Sequence, residues 1–354
     1  MSYEHSKFIP SWLMASCTAL ALGTTGMASA ETTLPPISVF SSFPGDEVQS
    51  LCQIAEQYHC AEDFIDPMAL YAAVELPNYF LKTGASEDGY DYELLIANTL
   101  VSSAGDESVT DSQIITEFDV TWRGIVLGSY QYADTFNQQQ VTTLSIADYT
   151  ERLVSQFIED AKQAEIFTAG FLYDKLQASD YHADLKLPQV ISAFELYDMQ
   201  LYHDPLQGAV ARYSHPQYPG DVIDIFVYPV FIPDESNPDP QIQITHELRK
   251  EIDDIELITA SRNIQGVTIG QIKAIDWQTE QRHFRGMYFD VEAMDDDGEP
   301  MFTTTYLFQS KDKFIKFSAN FPGRVAESMV KGALPTIEVP EQSQLMRMLR
   351  QPQS

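Results

Sequence analysis

Residues 245–250 come nearest to a catalytic metal motif in this chain, because His246 is followed directly by Glu247. In the helical zinc motif His-Glu-x-x-His, two histidines one turn apart hold the metal and the glutamate acts as general base. The second histidine would stand at position 250, which is a lysine. One histidine cannot hold zinc from a single helical face, so we expect a solvated helix face here.

An acidic run from Asp295 to Asp297, followed by Gly298 and Glu299, has the composition of a calcium-binding loop. In the twelve-residue loop register with glycine sixth, position one is Ala293 and position twelve is Thr304, which removes two essential oxygen ligands. We therefore expect a β-hairpin turn, for which Asp-Gly is a typical sequence. A weak cation site is the alternative.

Nucleophilic catalysis has little support in the sequence. Gly128-Ser129 lacks the second glycine of a nucleophile elbow and lies inside a strand-like run. The histidines that follow residue 30 are scattered, and no two stand at metal-ligand spacing on one element. They are His59, His182, His203, His215, His246 and His283.

Glycine-rich phosphate loops are also absent: the chain contains neither a GxGxxG run nor a Walker-type run. Use of ATP, GTP or a dinucleotide is therefore not expected. We predict that the protein carries no stoichiometric zinc, flavin or nucleotide, and the sequence does not identify catalytic residues.

One basic cluster runs against the acidic composition: Lys311, Lys313 and Lys316, with Arg282 and Arg285 on a neighbouring predicted strand. If the sheet brings these side chains together, they could hold an anionic ligand or an acidic partner. We expect instead that they pair with the protein's own carboxylates around a hairpin tip.

Residues 1–30 have the pattern of a cleavable secretory signal peptide. Lys7 precedes an apolar stretch from Trp12 to Leu22, and Ala28-Ser29-Ala30 is the small-x-small sequence that a signal peptidase accepts. We predict cleavage after Ala30 and a periplasmic or secreted protein. A lipoprotein beginning at Cys17 is the alternative, but the apolar stretch before that cysteine is short.

Two cysteines, Cys52 and Cys60, remain after the predicted cleavage. An oxidising compartment favours closing such a pair, and we predict a disulfide between them, with free thiols as the alternative. Eight residues of straight helix would separate their Cα atoms by about 12 Å, while a disulfide tolerates less than about 7 Å. The helix expected around Cys52 must therefore end before Cys60.

The net charge of −31 is unchanged by removal of residues 1–30, which contain one lysine and one glutamate. So negative a surface repels phosphate backbones and anionic lipids, which argues against nucleic acid and peripheral membrane binding. No segment after residue 30 approaches the length and apolarity of a membrane span. A cationic partner is one interpretation of this charge, and a solvated surface suited to a saline habitat is the other, which we favour.

Hydrophobic periodicity predicts an α+β protein with antiparallel sheets and flanking helices. A cap and proline at Asp66-Pro67 start a helix, and Ser145 starts a long one that should run to about Ser179. We expect a loop from Gly84 to Gly89. Strands are expected at Tyr92 to Val101, Ile114 to Trp122 and Ile125 to Ala133.

The later part of the chain has the predicted order βββ-α-ββββ-α. Its first helix starts at Asp239-Pro240 and should bury Ile244, Leu248, Ile252, Ile255 and Ile258, with Glu247, Glu251, Asp254 and Glu256 facing water. Strands are expected at Ala193 to Leu201, Gly208 to Ser214, Val222 to Val230, Val267 to Trp277, Phe284 to Met294, Met301 to Gln309 and Phe314 to Ala319. This order is loosely similar in architecture to Mog1/PsbP-like modules.

We therefore predict a signal peptide at 1–30, an N-terminal α+β domain at 31–185, a C-terminal α+β domain at 186–340 and a flexible tail at 341–354. Two functions remain open. The one we favour is a non-enzymatic exported module that binds a partner protein or small ligand. The alternative is a metal-independent hydrolase whose catalytic carboxylates come from separate strands.

Overall fold

The computed structural model describes most of the chain beyond residue 32. The described residues are 33–43, 45, 50, 58–85, 89–103, 111–137, 145–231, 239–262, 264–279, 282–294 and 298–350. The predicted signal peptide, Cys52 and the run from Asp295 to Asp297 lie outside them.

The described residues fall into two compact units, with the boundary between Leu172 and Tyr173. We call them the N-terminal unit and the C-terminal unit. The predicted boundary at 185/186 is therefore about thirteen residues too late. The reason is local, since Tyr173 and Tyr181 are buried in the core of the C-terminal unit.

The N-terminal unit contains a sheet of six strands in the order β3-β1-β4-β5-β6, with β2 paired to β4. β1 pairs parallel to β3 and β4, and the other pairs are antiparallel. The strands are β1 (Ile37–Phe40), β2 (Tyr58–Glu62), β3 (Thr83–Ala85), β4 (Tyr92–Ser103), β5 (Asp111–Trp122) and β6 (Ile125–Asn137).

The three long strands confirm the sequence prediction, but the expected loop at Gly84 is wrong. Gly84 lies in β3 and pairs with Ser38 of β1. Strands of three and four residues are too short to show the alternation on which sequence prediction depends.

The helices of the N-terminal unit begin at the predicted caps. Asp66 accepts a hydrogen bond from the Met68 backbone N–H, and Ser145 accepts one from Asp148. These helices are α1 (Pro67–Glu75) and α2 (Ile146–Gln163). A third helix, α3 (Ala169–Leu176), contains the boundary between the two units. The single helix predicted to reach Ser179 is thus wrong, because Glu165 takes a φ of 54°, which ends α2.

The C-terminal unit contains a sheet of nine strands in the order β11-β13-β14-β15-β10-β9-β8-β7, with β12 also paired to β13. All of its strand pairs are antiparallel. The strands are β7 (Val190–Ile191), β8 (Phe194–Leu201), β9 (Ala209–His215), β10 (Tyr218–Pro229), β11 (Gln265–Ile269), β12 (Lys273–Gln278), β13 (His283–Met294), β14 (Pro300–Ser310) and β15 (Lys313–Ala319). With its helices, this sheet confirms the predicted α+β class.

The strand predicted from Val267 to Trp277 is two strands, β11 and β12, which pair with successive halves of β13. The break falls at Gly270, whose N–H donates to the Asp290 carbonyl over 2.7 Å. β11 also contains a register shift around Gly266, which has a φ of +65°. Glycine takes this left-handed conformation without strain.

Helices cover both faces of the C-terminal sheet and divide its core in two. α5 (Pro240–Ser261) buries Ile244, Leu248 and Ile255 against one face. α6 (Gly323–Ala333) buries Ala326 and Val330 in the core on the other face. A short helix, α4 (Tyr181–Asp184), contributes Tyr181 to the α6 side.

The predicted flexible tail at 341–354 is wrong for residues 344–349. They form α7 (Gln344–Leu349), capped by Ser343, and Leu345 and Met346 are each only 1% exposed. The helix spans only six residues, so it shows little periodicity in sequence, and tertiary packing determines its position. Residues 351–354 lie outside the described part of the chain.

Among the described residues, the helices include none that combines the length and the apolarity needed to cross a membrane.

Candidate functional site

Helix α5 carries the residues that resembled a zinc motif, and it places them in different surroundings. His246 is exposed, while Glu247 accepts a hydrogen bond from the hydroxyl of Tyr228 over 3.1 Å. Burial, followed by the charge of Glu247, raises the pKa of Tyr228 well above its ordinary value. The expectation that Glu247 faces water is therefore wrong, because it reaches the sheet.

Glu251, one turn further along α5, also faces the sheet rather than water. Its carboxylate accepts a hydrogen bond from Lys316 Nζ over 2.7 Å, and the two side chains are 12% and 2% exposed. The same ammonium lies 4.5 Å from the ring centroid of Phe226. A buried ammonium needs such compensation for its lost hydration, so Lys316 links α5 to the middle of β15.

A second ion pair lies on this face of the sheet, between Arg212 on β9 and Asp224 on β10. The guanidinium donates to both carboxylate oxygens over 2.8 and 2.9 Å, and the Asp224 side chain is only 2% exposed. Nearby, burial and then the charge of Asp224 raise the pKa of Tyr202 to about 12.

These two ion pairs concern the hypothesis that catalytic carboxylates come from separate strands. Asp224 lies on a strand, β10, whereas Glu251 lies on a helix, α5. Each is held by a cation within 3 Å. Such pairs hold structural elements in place and leave little lone-pair capacity for a substrate.

The predicted basic cluster is divided by the sheet. Lys313 and Lys316 are three residues apart on β15, so their side chains point to opposite faces. Both are buried, which corrects the expectation of a hairpin tip. Arg282 and Arg285 are exposed near the start of β13. The pairing with the protein's own carboxylates is confirmed for the three lysines: Lys311 with Glu341, Lys313 with Asp312 and Lys316 with Glu251.

Two of these lysines belong to a cluster that holds the C-terminal segment. Lys311 Nζ donates to the Val339 carbonyl over 3.0 Å, and Asp312 lies between Lys313 and Arg350. Burial lowers the pKa of Lys313, and its hydrogen bond to Asp312 partly offsets this. Lys311 and Asp312, which lie in the turn between β14 and β15, therefore hold the C-terminal segment that contains α7.

Among the described residues, His, Cys, Asp and Glu side chains do not form a group of three that could hold a metal ion. His283 hydrogen-bonds to Asp276 across the β12–β13 pair, and this bond lowers the pKa of Asp276. His215 packs against the rings of Phe194 and Tyr218.

The remaining sequence candidates lie in the N-terminal unit or at a turn. Ser129 is exposed in the middle of β6, not at a strand-to-helix turn. Cys60 lies on β2, and a helix therefore does not continue to it. Its pairing with Cys52 stays a prediction, because Cys52 lies outside the described residues. β13 and β14 pair up to Met294 and Pro300, as the predicted hairpin requires.

A shallow groove of about 470 Å³ lies between the C-terminal half of α5 and strand β11. Thr259 and Ala260 line it from the helix, and Ile264, Val267 and Ile269 line it from the chain that follows. Glu256 also lines it from the helix. We call this feature the α5–β11 groove.

The wall of the α5–β11 groove on the α5 side contains one acidic residue, Glu256, and Asp253 lies outside the groove lining on the same side of the helix. Asp253 and Glu256 are exposed one helical turn apart, and Ala260 follows one turn later on the same side. The sequence alone does not predict this groove, because the groove depends on the break at Gly270 that lets β11 lie beside α5. The acidic run in α5 was the only signal in the sequence.

No family model matches the chain, and no curated protein matches it. Among solved structures, the chain is similar to the solution structure of cyanobacterial PsbP (CyanoP) from Synechocystis sp. PCC 6803. The match has a TM-score of 0.27 and 12% sequence identity, and it covers 44% of this chain and 93% of that chain. At this TM-score and identity, the similarity gives no argument about function.

Proposed function

We propose that this protein is an exported, non-enzymatic binding module that holds a short cationic segment of a partner protein in the α5–β11 groove. The signal-peptide pattern of residues 1–30, with cleavage after Ala30, supports a periplasmic or secreted location. The observation that carries the proposal is a groove in which an apolar floor of Ile264, Val267 and Ile269 lies beside the exposed carboxylate of Glu256.

The floor suits an apolar side chain. Val267 and Ile269 are partly buried against the α5-side core, so part of each remains accessible in the groove. Covering this surface gains about 25 cal/mol per Å² of apolar area removed from water. A few side chains in a shallow groove therefore give a weak, reversible contact rather than a permanent one.

The wall selects the charge of the partner. Asp253 and Glu256 attract lysine or arginine, and the net charge of −31 repels anionic segments at longer range. The register shift around Gly266 makes β11 a poor template for an added strand. Recognition therefore uses side chains in the groove more than backbone pairing along β11.

Two fluorescent hexapeptides test this proposal on the full mature chain. One alternates lysine with leucine, and the other alternates glutamate with leucine. We expect the lysine peptide to bind in fluorescence anisotropy and the glutamate peptide not to bind. Glu256→Lys should weaken binding about tenfold, which corresponds to about 1.4 kcal/mol. Ala260→Phe, which fills the groove, should weaken it without changing the charge.

Glu195→Lys is the matched control, because it makes the same charge change at an exposed position on β8. We expect this variant to weaken binding of the lysine peptide less than twofold. Equal losses in Glu256→Lys and Glu195→Lys, with no loss in Ala260→Phe, would mean that the peptide responds to overall charge alone. That result would overturn the groove as the binding site.

A further inference from the structure

Among the strands that the structure describes, β6 is the last strand at one edge of the N-terminal sheet. It is 13 residues long, and among the described strands it pairs only with β5. The ten residues Gly128–Asn137 pair with Asp111–Val120 without a register shift. The side of β6 that faces away from β5 therefore has a long, regular row of backbone N–H and C=O groups at the edge of the sheet.

Helix α2 holds this strand in place from one face. The Tyr130 and Phe157 rings pack edge to face with centroids 5.4 Å apart, and the Tyr132 hydroxyl donates to Asp160 over 2.7 Å. Burial and the Asp160 hydrogen bond raise the pKa of Tyr132 above its ordinary value. The edge is thus already extended and rigid, so pairing with it costs little conformational entropy.

The β6 edge carries almost no charge in a strongly acidic chain. Its one carboxylate is that of Asp134, which lies on the α2 side, 3.6 Å from Arg152. The exposed residues of the opposite face are neutral: Ser129, Gln131, Ala133, Thr135 and Asn137. β6 also contains no lysine, arginine or proline, the residues that commonly block an open edge.

This neutrality points to a particular occupant. In a two-fold symmetric contact, each surface meets a copy of itself, so a charged patch would face its own charge. With a net charge of −31, most of the surface repels a second copy. The β6 edge is a described surface on which two copies can meet without facing like charges.

We propose that two copies of this chain associate by antiparallel pairing of β6 with β6. The two six-stranded sheets then join into one twelve-stranded sheet. A two-fold axis at Ala133 places Gln131 opposite Thr135, so polar neutral side chains face one another. This contact is separate from the α5–β11 groove and does not depend on its function.

Sedimentation velocity of the full mature chain tests the pairing over a range of protein concentrations at low and high salt. We expect a monomer–dimer equilibrium that shifts toward dimer as salt rises, because salt screens the mutual repulsion of the two copies. A monomer at every concentration and salt would overturn the proposal.

Gln131→Lys and Gln156→Lys locate the contact. Both add one positive charge at an exposed position, the first on β6 and the second on the outer side of α2. We expect Gln131→Lys to raise the dimer dissociation constant at least tenfold, and Gln156→Lys to leave it unchanged or slightly lower, since it reduces the net negative charge. A second β6 variant, Thr135→Lys, should behave as Gln131→Lys does. Thermal melting of each variant verifies folding. If Gln131→Lys and Thr135→Lys left the dimer dissociation constant as unchanged as Gln156→Lys does, β6 pairing would be contradicted.

Discussion

The ammonium of Lys316 lies 2.7 Å from the carboxylate of Glu251, and this contact joins the middle of α5 to the central strand β15. Both side chains are largely withdrawn from water, so each depends on the other for compensation of its charge. The pair lies at the centre of the C-terminal unit, where α5 also forms one wall of the α5–β11 groove.

Removing one partner of this pair should lower the free energy of unfolding more than removing both partners. We expect Lys316→Met to lower the free energy of unfolding by about 3 kcal/mol, because it leaves Glu251 without its cation. The double variant with Glu251→Met should recover most of that loss. Urea denaturation measures both.

The exposed pair Lys331 and Glu327 on α6 provides the control, since both side chains are nearly half exposed. Lys331→Met should cost less than about 1 kcal/mol. If Lys316→Met cost no more than Lys331→Met, or if the double variant were as unstable as Lys316→Met, the buried pair would not have the role assigned to it.

Helix α7 should contribute measurably to stability. Met346 is 1% exposed, so we expect Met346→Ala to cost about 2–4 kcal/mol through lost burial and the cavity that it leaves. Met348→Ala makes the same change at a position that is 48% exposed, and it should stay within about 0.5 kcal/mol of the unsubstituted protein. If neither variant changed the free energy of unfolding in chemical denaturation, the prediction of a flexible tail would be restored.

Stability should fall at alkaline pH. Burial raises the pKa of tyrosines in both units, and the raised groups include Tyr130, Tyr132, Tyr149, Tyr173, Tyr181, Tyr202, Tyr213, Tyr228 and Tyr306. In the unfolded chain they lose their protons near pH 10, and in the folded chain they keep them to higher pH. Above about pH 10 the unfolded state therefore binds fewer protons, and the free energy of unfolding decreases as the pH rises.

Tyr202→Phe tests one such residue, because the pKa of Tyr202 is raised to about 12. Urea unfolding at a series of pH values should show a shallower decline between about pH 10 and 12 in this variant than in the parent protein. Tyr197→Phe, at a residue that is 77% exposed, should leave the decline unchanged. Identical profiles for the parent protein and Tyr202→Phe would show that Tyr202 titrates normally.

Intact mass spectrometry of the purified protein tests the predicted processing and the predicted disulfide together. We expect a chain that begins at Glu31 and is two hydrogens lighter than the form with free Cys52 and Cys60. The bond should contribute roughly 2–3 kcal/mol by restricting the unfolded chain. A chain beginning at Met1 or at a lipidated Cys17, or labelling of both thiols under native conditions, would contradict these predictions.

Local sequence patterns determined much of the fold. The helix starts at Asp66, Ser145 and Asp239 depend on a side chain and its near neighbours, so the sequence alone predicts them. The same holds for the long strands around Phe118 and Phe289, where apolar residues recur over many positions.

Tertiary structure decided the features that no short stretch encodes. The strand around Gly84, the burial of α7 and the orientation of Glu251 toward Lys316 all depend on partners distant in sequence. A carboxylate on an amphipathic helix looks equally suited to water or to a buried cation until the sheet beneath it is known. The α5–β11 groove and the open edge of β6 follow the same rule: a groove needs two elements to form its walls, and an edge exists only once the order of the strands is set.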